Sequence, residues 1–218
     1  ESFDAGNPFV AFTNLTSNVS VGKYGIDTIQ CEENLTIYNE FYKQKSYDSA
    51  INAWLYLFMN APQRTKNIYI HGSNMYKHFI KNEQDSIKRE VLIDNLLSVY
   101  DQRNIFYSGQ EGMVLGLKGA ALYRYRKSNI PSAQEAYEIL KISFSMDKEK
   151  TQASTLNAYY QAVARLTSNK ILTKEDLIDL FSDVSSVIEY KEAHINQMNF
   201  DLNMFHFNMM STFDSLSL

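Results

Sequence analysis

From Cys31 to Pro62 the apolar and polar positions follow a helical period rather than a strand period. Asn34, Ile37, Tyr38, Phe41 and Tyr42 lie three and four residues apart, Lys45-Ser46 interrupts, and Tyr47, Ala50, Trp54, Leu57 and Phe58 resume the pattern. Two amphipathic helices joined by a tight turn are predicted. A small residue such as Ala50, followed four residues later by an aromatic ring, lets two helices approach while the ring fills the groove between them. Pro62 has no amide donor and ends the unit.

Three more helical pairs are predicted downstream. Residues 64–82 carry Ile68, Tyr69, Met75, Tyr76, Phe79 and Ile80, and a partner helix capped by Asp85 or Ser86 runs to about Gln102. Residues 104–113 form a longer connection. Val114–Lys127, with Gly116 and Gly119 favouring a close crossing, pairs with a helix that restarts at Pro131 and carries Ala133, Ala136, Tyr137 and Leu140. Thr151–Thr167 pairs with Thr173–Tyr190, whose threonine and acidic residues mark a helix start. Residues 1–30 hold helix-breaking glycines and read as an extended, irregular N-terminal arm that docks on the first pair. Residues 191–218 form a Met/Phe-rich terminal helix, apolar nearly all round, and the lack of a polar outer face predicts a longer array continuing past Leu218. Residues 31–190 are the helical-repeat domain. Four hairpins of about 33–40 residues each predict an all-α fold, a right-handed α-solenoid.

Composition changes this picture little. The 218 residues include 8 Gly and 3 Pro, few enough for long helices, and 13% aromatics with 15 Tyr and 13 Phe, ample for a core. A net charge of −4 with both signs mixed, and no basic stripe, argues against nucleic acid as a partner. No apolar run reaches the roughly 18–20 residues of a membrane-spanning helix. Cys31 is the only cysteine, so an intramolecular disulfide and a multi-thiolate zinc site are excluded, and a packing role is expected.

No catalytic, cofactor or metal site is predicted. His71 and His78 are seven residues apart, where a one-helix metal pair needs three or four, and His194 and His206 are no better. Gly109, Gly112, Gly116 and Gly119 lack the Lys-Ser/Thr of a phosphate loop. Glu32/Glu33 and Glu175/Asp176 sit at helix starts, where the dipole accounts for them. The informative polar set lies on the first helix of each pair, which lines the inner face of stacked hairpins. Asn39, Lys43, Tyr69, Asn74, Lys77, Tyr123, Arg124, Asn157 and Gln161 are the candidate partner-binding residues, a mixture suited to peptide backbone and aromatic anchoring.

Phe41, Tyr47, Ala50, Trp54, Leu57 and Pro62 resemble the tetratricopeptide repeat, with Tyr38 replacing the usual small residue. Tyr24-Gly25-Ile26-Asp27, residues 31–44, Asn60-Ala61-Pro62 and residues 66–72, with weaker stretches at residues 100–103 and 171–177, are similar to a group of exported Bacteroidetes tetratricopeptide proteins. The resemblance implies an envelope location, in the periplasm or at the outer membrane. It also implies a non-enzymatic scaffold for a protein or peptide partner, within an envelope assembly. The rival expectation is a carbohydrate-binding outer-membrane protein built on the same helices, which needs exposed aromatic platforms. Asp27-Thr28-Ile29 resembles the short O-glycosylation signal of such proteins and makes Thr28 a candidate acceptor.

Overall fold

The computed structural model describes residues 22–194, and among them the fold is all-α with no strand. Eight helices follow in order: α1 (Thr28–Lys43), α2 (Tyr47–Asn60), α3 (Asn67–Asn82), α4 (Ser86–Phe106), α5 (Glu111–Arg126), α6 (Ile130–Asp147), α7 (Ala153–Ser168) and α8 (Lys174–His194). A 3-10 turn, Lys148–Lys150, stands between α6 and α7. The chain divides into two compact units, one ending at Gly109 and the other starting at Gln110.

Local chemistry sets the helix ends much as the sequence predicts. Asp85 accepts from the Ile87 and Lys88 amides at the start of α4, and Asn129 accepts from the Ser132 amide ahead of Pro131 in α6. Thr173 and Asp176 form a reciprocal pair: Asp176 accepts from the Thr173 amide, and Thr173 Oγ1 accepts from the Asp176 amide. After α1 and α7 the chain reverses through Lys45 and Lys170, both at φ 59°, with six-to-one bonds from Ser46 N to Phe41 O and Ile171 N to Leu166 O.

In the first unit α1 packs on α2, α2 on α3, and α3 on α4. Trp54 anchors it. The indole is fully buried, stacks on Phe58 at 4.8 Å between centroids, and donates from Nε1 to the Ile68 carbonyl at 2.6 Å. It lies over Gly72 of α3, where no side chain fits. The second unit is built on the α5–α6 pair, the most extensive helix contact, with α7 packed against both and α8 on α7. Gly116 permits this: an added methyl would stand 2.7 Å from Thr155 Cγ2 of α7 and 2.8 Å from Ser143 Oγ of α6.

Several expectations are revised. The helix α1 begins at Thr28, inside the expected 1–30 arm, because Asp27 caps it by accepting from the Gln30 amide. α4 extends to Phe106 and α5 begins at Glu111, so Gly112 is helical and not in the connection; Ser143 Oγ donates to its carbonyl across the α5–α6 contact. Ile37 and Phe41 are exposed, whereas Tyr38 is fully buried. The rest of the predicted arm, and residues 195–218 of the predicted Met/Phe-rich helix, lie outside the described residues.

Candidate functional site

Tyr38 and Tyr42 fall one turn apart on α1, and His71, Asn74 and His78 share one side of α3. The structure interleaves them. The Tyr42 ring stacks on the His71 imidazole with centroids 3.8 Å apart and planes at 12°, while Tyr38 meets the same imidazole edge-on at 5.9 Å. Asn74 Nδ2 donates to Tyr42 Oη at 3.0 Å. Tyr47, at the start of α2, packs against Tyr42 at 5.5 Å and against His78 at 5.0 Å. An aromatic seam therefore ties α1 to α3. Burial holds the His71 imidazole below its ordinary pKa, and burial, followed by Tyr42, pushes the Tyr38 hydroxyl far above its own. Tyr38 Oη and His71 Nδ1 are buried and make no hydrogen bond among the described residues.

The predicted contact residues flank this seam unevenly. Asn39 is half-buried, Asn74 is exposed, and Lys43 is exposed and pairs with Glu40 at 2.8 Å. Lys77 reaches over the Tyr100 ring, its Nζ 6.0 Å from the centroid. Tyr69 is not on a surface. It is 1% exposed, packs against Phe58 and Tyr107, and donates from Oη to the Pro62 carbonyl at 3.0 Å. It belongs to the core because its ring spans the space beneath the α2–α3 connection.

In the second unit Tyr123 of α5 is also buried, donating from Oη to the Gln161 carbonyl of α7 at 2.9 Å. It ties two first helices as the seam does in the first unit, and is a packing residue instead of a contact residue. Gln161 is exposed and donates to Asn157 Oδ1 at 3.1 Å, Arg124 is exposed, and Arg165 reaches the Ser128 carbonyl at 3.5 Å. Tyr42 and His71 are the residues missed in sequence. Their signal was the matched helical spacing of Tyr38/Tyr42 and His71/His78.

Thr28 is exposed in the first turn of α1, next to the capping carboxylate of Asp27. Cys31 is fully buried, and burial, then Glu32, raises its thiol pKa against a smaller opposing effect of Arg64. Arg64 itself grips Glu32 through Nε to Oε1 at 2.6 Å and a second nitrogen to Oε2 at 3.1 Å, closing the α2–α3 connection onto α1. No group of three or more His, Cys, Asp or Glu placed to hold a metal ion occurs among the described residues, and no described helix is long and apolar enough to cross a membrane. What the first-helix faces offer a ligand is hydrogen-bond donors, amide groups and positive charge on a rigid support. No protein-family model, curated protein or solved structure matches the chain.

Proposed function

We propose that the chain is a non-enzymatic scaffold of tetratricopeptide-like hairpins that binds a protein or peptide segment along its first helices. The observation that carries this reading is the tie between successive first helices in each unit. Tyr42 joins α1 to α3 through His71 and Asn74, and Tyr123 joins α5 to α7. Side chains beside those ties share one support. Asn39, Lys43, Asn74 and Lys77 in the first unit, and Arg124, Asn157 and Gln161 in the second, form donor-rich strips suited to backbone carbonyls of a bound segment. Helix-borne donors lose little freedom on binding, which favours recognition.

The finer architecture we propose is a right-handed α-solenoid, supported by α7 packing on both helices of the preceding hairpin. An envelope location follows from the resemblance of residues 24–82 to exported Bacteroidetes proteins. The carbohydrate-binding alternative is weaker here, because one face of Tyr42 is already covered by His71.

Photo-crosslinking tests the proposal. A photoreactive residue at Lys43 or Arg124 is expected to give a discrete protein adduct in envelope extracts, while one at Ile87, 77% exposed on α4, gives none. Equal labelling from all three positions, or none, sinks it. Glycan binding lost on Tyr42→Ala would shift the assignment to the carbohydrate class.

A further inference from the structure

The second helices of the second unit carry a feature that the first-helix reading does not use. Lys141, Phe144, Ser145 and Lys148 share one face of α6 or its end, and Asp183, Ser186 and Val187 share one face of α8. α8 packs on α7 and on the 3-10 turn, leaving an open groove of about 480 Å³ between these two faces, within the range of a small-ligand site.

Tyr159 of α7 lines the groove. Its ring is wedged against Tyr137 and Phe144, at 5.9 and 5.8 Å, and the residue is 7% exposed. Its hydroxyl nevertheless makes no hydrogen bond among the described residues. Burial, then Tyr137 and Asp183, keep the phenol protonated, so it stands ready as a donor. The ring is packed while the hydroxyl opens on the groove, which leaves room for an acceptor beside it.

Charge is divided along the groove. At one end Glu138 and Asp176 act on Lys141, and together with Asp183 they act on Tyr159, which makes this end net negative. At the other end stand Lys148, Lys150, which acts on Asp147, and Lys191, which donates from Nζ to the Thr151 carbonyl. These outnumber Asp147 and Glu149. Lys141 and Lys148 are seven residues apart, about 10 Å along a helix. An extended peptide covers about 3.3–3.6 Å per residue, so about three residues match that length. Lys148, at the rim, holds a left-handed backbone, φ 41° and ψ −114°, which a side-chain-bearing residue adopts only at a cost.

We propose that this groove binds a short free peptide of about two or three residues. Its ammonium end lies toward Asp183, its carboxylate toward Lys148, a backbone carbonyl accepts from Tyr159 Oη, and an apolar side chain rests on Phe144. The site is built mainly on α6 and α8, takes only Tyr159 from α7 and shares none of the residues of the proposed scaffold faces, so it stands or falls independently of them.

Calorimetric titration of the full chain with the tripeptide Ala-Phe-Ala tests it. Binding is expected, with N-acetylated and C-amidated forms each weakened about tenfold by loss of a charge-assisted contact. Tyr159→Phe is expected to weaken binding about fivefold with an unchanged helical spectrum. Lys148→Gly relieves the backbone and raises Tm while weakening binding, and Asn74→Ala, in the other unit, changes nothing. No heat with Ala-Phe-Ala at millimolar concentration overturns the proposal. Equal binding of the blocked forms does so too, as does unchanged affinity in both Tyr159→Phe and Lys148→Gly.

Discussion

Replacing Gly72 with alanine should loosen the first unit, although alanine is the better helix former. The new methyl would stand 2.7 Å from Trp54 Cε2, 3.0 Å from Nε1 and nearer still to Cζ2. The indole has little room to retreat: Phe58 stacks on it, Tyr76 meets it edge-on at 5.7 Å, and its Nε1 is bound to the Ile68 carbonyl. Alanine in place of glycine inside a helix contributes about 1 kcal/mol. Overpacking a filled core costs about 1–3 kcal/mol, and displacing the indole loses a hydrogen bond of about 1 kcal/mol. The expected net loss is therefore about 1–3 kcal/mol. Trp54 is the chain's only tryptophan, so its fluorescence in urea reports on this unit. Trp54→Phe removes the part of the ring beneath Gly72. The double variant, followed by native-state hydrogen exchange, should recover at least about 1 kcal/mol relative to the sum of the single losses. A neutral or stabilising Gly72→Ala, or additivity within about 0.5 kcal/mol, would refute the reasoning.

Three other expectations follow from the same kind of accounting. Gly116→Ala in α5 should destabilise the second unit by about 1–3 kcal/mol, because its methyl meets Thr155 and Ser143 on two different helices; hydrogen exchange of α5–α7 measures it. Lys45→Gly and Lys170→Gly should each stabilise by roughly 1 kcal/mol in thermal unfolding, since both residues hold φ 59° at a helix C-terminus. His71 has a folded pKa depressed by burial, so the unfolded chain takes up the proton first as pH falls. Its contribution is complete above the unfolded value of about 6.5 and is lost as pH falls from there toward the folded pKa. The urea midpoint between about pH 8 and pH 5.5 should therefore fall less steeply in His71→Phe, and an unchanged slope would remove His71 from the account.

The elements legible in sequence were those whose signals are local. Asp85, Asn129 and Thr173 announce helix starts through side chains that bond amides two or three residues away. Ala50, Trp54 and Leu57 announce a buried stripe through period alone, and all three are fully buried. What stayed hidden depends on which neighbour a stripe meets. Ile37 and Phe41 lie at apolar spacing on α1, yet they fall outside the arc that its neighbours cover. Gly112 looked like a loop residue because glycine breaks helices; its value here is the close passage of α6, which no local pattern reveals.

Tyrosine shows the limit most clearly, because one residue offers both an apolar ring and a polar tip. Tyr69, Tyr123 and Tyr159 all sit on helical stripes, and periodicity alone does not separate contact from core. Distance to an acceptor decides. Tyr69 and Tyr123 reach the Pro62 and Gln161 carbonyls, so their tips are satisfied and both residues are structural. Tyr159 shares helical spacing with the buried Leu156, Tyr160 and Val163, and its ring is core. Its hydroxyl instead opens on the α6–α8 groove with no acceptor among the described residues. Tyr159→Phe should therefore cost the fold little, whereas removing the Tyr69 or Tyr123 hydroxyl sacrifices a made hydrogen bond of about 1 kcal/mol. That contrast is what separates a donor used to hold the fold from one left for a ligand.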